Sequence, residues 1–219
     1  MDPDNWDGTR MPTQRGRIAV VTGANQGIGY ECARQLAEHG AHVILACRNE
    51  GRAKKAVQDL RRHLLQIEEA GHVEYMIVDI GCMSSVKSFA DACAVKLERV
   101  DILINNAGVG VPPETTCADG YPIQFGVNYL GHFYLTSLLF GLLKKSDAAR
   151  VINVSSPAHR QQVSTTMCKN TKLDFTKLHK GEGDSGWERY EKSKLCCLIF
   201  SIELDRRLTS AGIHNVKMV

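Results

Sequence analysis

The sequence predicts an α/β chain built as one doubly wound parallel sheet, and three observations carry that expectation. Short apolar runs alternate with longer helical patterns along the chain, the rhythm of strands each followed by a crossover helix. A glycine-rich segment, Thr22 to Gly29, falls between the first apolar run and the first helical pattern, where a strand turns tightly into a helix. No internal repeat, low-complexity tract or linker divides the chain, so residues 17–219 read as one domain behind a polar extension, residues 1–16.

Short apolar runs mark strands over residues 17–22, 42–46, 73–78, 101–105 and 150–154. Between them, helical patterns cover residues 27–39, 50–70, 84–99, 117–145 and 187–210. Two segments break the alternation. Residues 157–186 are about thirty polar, Gly- and Thr-containing residues, longer than the usual connection, and so read as a functional loop that shapes substrate specificity. Residues 215–219 look like the opening of a sixth strand.

Composition narrows the functional classes. With 43% hydrophobic and 23% charged residues in 219, the chain has an ordinary globular balance and enough apolar surface for a core. A net charge of +3 comes without the basic block or aromatic-interleaved stripe that nucleic acid requires, so no nucleic-acid partner is expected. The eight cysteines form no C-x-x-C pair and read as reduced residues in an intracellular chain. The eight histidines show no metal-ligand spacing, so no metal is expected. His132 and His159, near the candidate site, read as packing or loop residues. Residues 1–17 hold three aspartates and two prolines and lack the apolar centre of a signal peptide, and no stretch is long enough to span a bilayer. The expected location is the cytoplasm.

The glycines of Thr22-Gly23-Ala24-Asn25-Gln26-Gly27-Ile28-Gly29 sit where helix N–H groups hold a pyrophosphate, with Asn25 and Gln26 facing the phosphates. By itself this spacing is matched as well by a plain turn before a helix. At the end of the second strand, where a carboxylate would hold the ribose of NAD, stand Cys47, Arg48 and Asn49. Arg48 can pair with a 2′-phosphate, which favours NADP(H), although a solvated loop charge is the plain alternative. Asp79 can accept from an adenine amino group, or make a turn or helix cap ahead of Ser84. Asn105-Asn106-Ala107-Gly108 lets the backbone approach a cofactor while its amides brace strands, or is an ordinary turn.

Near the end of the chain, Tyr190 and Lys194 stand four residues apart on one helical face, where an ammonium favours the ionised phenol. Bringing a tyrosine from about 10 toward neutrality takes roughly 3 to 4 kcal/mol of differential stabilisation. Ser156, after the fifth strand, can hold a substrate carbonyl against that phenol. Alone, Ser156 reads as a cap and Tyr190/Lys194 as a surface pair. Together with the glycine cradle they point to hydride transfer from a nicotinamide cofactor.

These motifs, in this order, resemble the short-chain dehydrogenase/reductase family in its single-domain form, with a Rossmann-like fold. Leu45-Ala46-Cys47-Arg48, Phe125 to Phe133 and Val154 to His159 are similar to the branch of retinol dehydrogenases and WW-domain oxidoreductases. The resemblance implies Tyr190 as general acid in reduction and base in oxidation, Ser156 polarising the carbonyl, and Lys194 on the nicotinamide ribose. It implies Asn128 holding a water that relays protons through Lys194. The implied cofactor set is Thr22, Gly23, Asn25, Gln26, Gly27, Ile28, Gly29, Arg48, Asn49, Asp79, Ile80, Asn106, Ala107 and Gly108, with Tyr190 and Lys194. Family members continue beyond the strand that opens near Asn215 with a substrate-covering segment and a further strand, so this chain reads as C-terminally incomplete. The expected reaction is alcohol–carbonyl interconversion on a lipophilic, retinoid- or steroid-like compound. A homodimer through the tyrosine-bearing helix is also implied. A non-catalytic NADP(H)-binding module stays open as the second reading.

Overall fold

A computed structural model of the chain describes residues 8–160, 177, 179, 180 and 183–219. Six strands form one parallel sheet: β1 (Ile18–Thr22), β2 (His42–Cys47), β3 (His72–Ile77), β4 (Ile102–Asn105), β5 (Ala149–Asn153) and β6 (Val216–Met218). The helices are α1 (Gly27–Glu38), α2 (Glu50–Leu64), α3 (Met83–Lys96), α4 (Gly131–Leu143) and α5 (Gly186–Ser210). Strand order is β3-β2-β1-β4-β5-β6, so succession along the sheet reverses between β1 and β4. Ligands of open parallel sheets bind at that switch point, beyond the strands' C-terminal ends. The register lines up the residues that matter there: Thr22 lies beside Ala46, and Asn105 beside Asn153.

Alternate side chains of each strand enter different cores, because successive Cβ atoms leave opposite faces of a sheet. Val20, Ile44, Leu103 and Val151 pack with Phe89 of α3 and with Leu135 and Leu139 of α4. Val21, Leu45 and Ile104 pack with Ala33 and Leu36 of α1 and Leu60 of α2. The central strands are buried on both faces and therefore read as unbroken apolar runs.

Two helices fall well short of their sequence patterns, and α3 also ends three residues before its pattern over residues 84–99, where Leu97 turns extended. The pattern over residues 50–70 yields a helix only to Leu64, because the next residues close successive turns onto His63 and Leu64 and Glu69 adopts a positive φ of 66°. Ile67 and Ala70 still pack on the core, which is why the apolar period outlasts the helix. The pattern over residues 117–145 starts too early. Residues 115–123 form a small hairpin with a bridge between Thr116 and Pro122 and a turn at Gly120, whose φ is 80°. That hairpin is fastened by Asp119, whose carboxylate accepts from Met83 N at 2.7 Å and caps α3 from outside its own sequence. The helix that follows opens with a π turn, Phe125–Leu130, and runs directly into α4.

Among the described residues no helix is long and apolar enough to cross a membrane. No group of three His, Cys, Asp or Glu side chains is arranged to hold a metal there. Cys47, Cys93, Cys196 and Cys197 are buried free thiols, and Cys32, Cys82 and Cys117 are partly exposed. Burial pushes Cys47 and Cys197 up to about 11 and Cys93 and Cys196 up to about 12, so these four are protonated packing residues. Cys168 lies outside the described residues.

Candidate functional site

β1 ends at Thr22, and the chain then turns through Gly23, whose φ of 65° is the left-handed region that favours glycine. Gln26 is the extended N-cap of α1, and its side chain makes no capping hydrogen bond. The first-turn N–H groups of α1 thus have no side-chain acceptor, in contrast to α2, where Asn49 Oδ1 accepts from Arg52 N at 2.9 Å. Gly29 lies under this turn: a Cβ there would stand 2.8 Å from Gly23 O and collide with Asn106 Nδ2. Only glycine lets α1 come this close to the loop after β4.

Thr22 fastens that loop from beneath. Its Oγ1 accepts from Asn106 N and Ala107 N, each at 2.9 Å, while Asn106 Nδ2 donates to Thr22 O at 2.8 Å. His132 completes the arrangement. Its ring stands 3.1 Å from Asn128 O through Nδ1 and 2.9 Å from Thr22 Oγ1 through Nε2. A carbonyl accepts only, so Nδ1 carries the proton and Nε2 accepts from the Thr22 hydroxyl. Full burial lowers the His132 pKa to about 4, so the ring is neutral near pH 7.

Above Thr22 opens a cavity of about 310 Å³. Gly23, Asn25, Gln26 and Gly27 form one wall; Arg48, Asn49, Asp79 and Ile80 form another, and Asn106, Ala107 and Gly108 the floor. These are eleven of the residues expected at a cofactor from sequence. Thr22 and Gly29 are buried supports, and Ile28 points outward with 66% of its surface exposed. Asp79 lines the cavity, and its Oδ1 accepts from Gly81 N at 2.9 Å in a turn; it does not cap α3, whose Met83 N is held by Asp119.

Sequence reasoning missed Ala46, Arg52, Val78, Val109 and Val127, which also line the cavity. Arg52 was the findable one. A cation in the first turn of a helix opposes the helix dipole unless an anion lies beside it, and Arg48 stands just ahead of the same helix. Among the described residues no carboxylate pairs with either arginine.

The second cluster meets the cavity at Gly108, where a Cβ would lie 3.3 Å from Asn128 Oδ1 and 3.6 Å from Lys194 Nζ. Lys194, 6% exposed, donates from Nζ to Val154 O at 2.8 Å and stands 5.9 Å from the centroid of the Tyr190 ring. Asn128 belongs to the π turn. Its side chain pairs with both backbone polar groups of Val109, at 2.8 and 3.0 Å, and donates to Ser193 Oγ at 2.9 Å. Ser193 Oγ in turn donates to Tyr190 O at 2.7 Å. Asn128 O accepts from His132 and, at 3.2 Å, from Cys197 Sγ.

The two serines after β5 are in different states. Ser155 Oγ donates to Lys194 O at 2.8 Å, so its proton is committed. Ser156 Oγ accepts from Ala158 N at 3.2 Å, which leaves its own O–H to donate elsewhere. Asn105 braces β4 to β5, as the sequence suggested for it, by donating from Nδ2 to Asn153 Oδ1 at 2.8 Å. Of the long connection over residues 157–186, residues 161–176, 178, 181 and 182 lie outside the described residues, and the expectation placed on them with them.

The site fits a nicotinamide dinucleotide on its own geometry. A helix N-terminus without a side-chain cap meets a glycine turn that a Cβ would fill, and two arginines without carboxylate partners stand at the far wall. Lys194 reaches the opposite end.

Known proteins agree with this geometry. The family model of short chain dehydrogenases matches residues 17–168. Human WW domain-containing oxidoreductase is 43% identical over 203 residues, covering 91% of this chain and 47% of that protein. Human retinol dehydrogenase 13 is 41% identical over 199 residues, covering 90% and 56%. This chain therefore spans about half the length of these curated relatives. Among solved structures, an uncharacterised protein from Mycobacterium paratuberculosis superposes with a TM-score of 0.77 at 36% identity, covering 96% of this chain and 69% of that one. A short chain dehydrogenase from Shigella flexneri 2a str. 301, solved in complex with NADP, gives 0.67 at 25% identity, covering 92% and 74%. With sheet order, glycine turn and tyrosine–lysine helix all in place, the chain belongs to the short-chain dehydrogenase/reductase family, in its retinol dehydrogenase branch.

Proposed function

We propose that this chain is an NADP(H)-dependent oxidoreductase that interconverts an alcohol and a carbonyl, with Tyr190 exchanging the proton. The observation that carries the reading is the meeting at Gly108 of the cavity along the glycine turn with Lys194, which stands over the Tyr190 ring. When bound, NADP(H) supplies or accepts the hydride. Every other part falls to the chain. In reduction the Tyr190 hydroxyl gives its proton to the substrate oxygen, and in oxidation the phenolate takes one from the alcohol. Ser156 holds that oxygen through the O–H that Ala158 leaves free. Lys194, anchored on Val154 O, keeps two N–H directions for ribose hydroxyls and places a positive charge beside the ring that loses a proton.

Asn128 takes a positioning part. Its amide fixes Val109 and, through Ser193, the turn that carries Tyr190. A relay water on Asn128 O would take the place of the Cys197 thiol, the weaker of that carbonyl's two side-chain donors.

Arg48 and Arg52 support NADP(H) over NAD(H), since an exposed arginine pair suits a 2′-phosphate, and the residues that end β2 at the cavity, Cys47, Arg48 and Asn49, include no carboxylate to accept from a 2′-hydroxyl. That a dehydrogenase of similar structure was solved with NADP agrees. Arg48→Asp is expected to weaken NADPH at least tenfold relative to NADH, about 1.4 kcal/mol, by titration of each cofactor. An unchanged ratio would remove Arg48 from this part. The substrate we propose is a lipophilic alcohol or aldehyde, in keeping with a relative named for retinol. A panel of carbonyl compounds, followed by loss of reduced-nicotinamide absorbance, tests the reaction. Tight NADPH binding with no turnover across the panel would leave the chain a binding module instead.

A further inference from the structure

We infer that Trp187 is a specificity-determining residue: its indole forms a rigid wall beside Tyr190 that selects flat, conjugated carbonyl compounds over flexible aliphatic ones. The inference rests on the oxidoreductase reading and names the substrate class of the same site.

Trp187 stands in the first turn of α5, three residues before Tyr190 and therefore on the same face. The two rings stack with centroids 5.3 Å apart and planes 27° from parallel. Yet the indole is not a core residue, for Trp187 keeps 55% of its surface exposed. Val111, from the loop after β4, is 57% exposed and packs on the start of the same helix, where a Cβ on Gly186 would meet its Cγ1 at 2.6 Å. Two large apolar side chains from separate segments thus stand open at the start of the helix that carries the phenol. Tryptophan is highly buried on average, and exposed apolar surface beside a polar site marks ligand contact.

The helix start that carries the indole is also held in place. Ser185 and Glu188 form a reciprocal capping box around the helix start. Gln124, 1% exposed, donates from Nε2 to Gly186 O at 3.3 Å and to Gly110 O at 3.1 Å, tying the helix start to the loop that carries Val111. Arg189 and Lys192 both reach back to Asp184, each at 2.6 Å. A substrate oxygen that reaches Tyr190 brings its neighbouring carbons alongside this fixed ring. A planar conjugated chain can stack there with few rotors to freeze, whereas a flexible chain gains area but loses rotamer freedom.

The test compares wild type with Trp187→Ala and Trp187→Phe, using trans-cinnamaldehyde and hexanal as substrates. It also measures the calorimetric affinity of cinnamyl alcohol in the presence of NADPH. For Trp187→Ala, kcat/KM on cinnamaldehyde should fall about tenfold, as expected for loss of one stacked aromatic together with its contact area, and kcat/KM on hexanal less than about twofold. Trp187→Phe should fall between, with NADPH affinity unchanged in both. Equal losses on the two aldehydes would make Trp187 only a support for Tyr190, and no loss would remove it from the site; either overturns the inference. If wild type turns over neither aldehyde, the oxidoreductase reading fails on its own. Cinnamyl alcohol then decides: weaker binding to Trp187→Ala supports the wall, and equal binding or none at all overturns it.

Discussion

Tyr190→Phe is expected to lower carbonyl reduction by about 10²- to 10⁴-fold, the range of one positioned acid, and to leave NADPH affinity nearly unchanged. The change removes a single oxygen, which makes no hydrogen bond among the described residues. The ring keeps its stack on Trp187, and Lys194 keeps its bond to Val154 O. The fold therefore loses little, and initial rates beside calorimetric NADPH titration separate chemistry from binding. Retained turnover would place the acid elsewhere. A matching loss of NADPH binding would make the phenol a cofactor contact instead.

The second large effect concerns acid stability. His132 is lowered from an ordinary 6.5 to about 4 by burial, so as pH falls the unfolded chain takes up this proton before the folded one does. The stability tied to the neutral ring is whole above about 6.5 and is lost progressively between 6.5 and 4. The loss is roughly 3 kcal/mol by the linkage relation, an order-of-magnitude figure for a fully buried group. Protonation would also turn Nε2 into a donor facing a threonine oxygen that already accepts two amides. Urea unfolding at several pH values should show wild type losing stability more steeply across this window than His132→Gln. Parallel slopes would mean that other groups carry the acid sensitivity. His72, lowered mainly by its own burial, acts in the same direction in both proteins and cancels in the comparison.

Strands were the most legible part of the fold. Five short apolar runs located five strands to within a residue or so, because a parallel sheet covered on both faces leaves little place for polar residues inside it. Helix ends were not legible in the same way. Apolar periodicity continues through residues that merely pack, as Ile67 and Ala70 do after α2. Asp119, Gly120 and Pro122 were turn signals inside a stretch that otherwise read as helix, and Asp119 caps a helix 36 residues upstream, a pairing only the fold creates.

The cofactor wall followed its motifs because glycine turns and strand ends are local features. Arg52 lies a turn beyond the end of β2, inside α2, where no local motif marks it, although a cation in a helix's first turn is itself a signal. His132 reaches Thr22 across 110 residues of sequence and Asn128 one helical turn back, and its tautomer is set by both partners at once. Trp187 likewise gains meaning only from the ring it stacks on and the valine across from it.

The π turn at Phe125–Leu130 bears on how this segment tolerates changes of length. A π turn holds one residue more than the α turn it replaces, and one residue is worth about 100° of helical rotation. Upstream of α4, that rotation lets Val127 face the cavity and Asn128 face Val109 while Leu135 and Leu139 still point into the sheet. Deleting a single residue here would yield a more regular helix and a worse protein, since it would turn the cavity-facing side chains away from their partners as one body. The irregularity works as a phase adjuster between two walls, and the count of residues between Asn128 and Leu135 is thereby constrained as tightly as their identities.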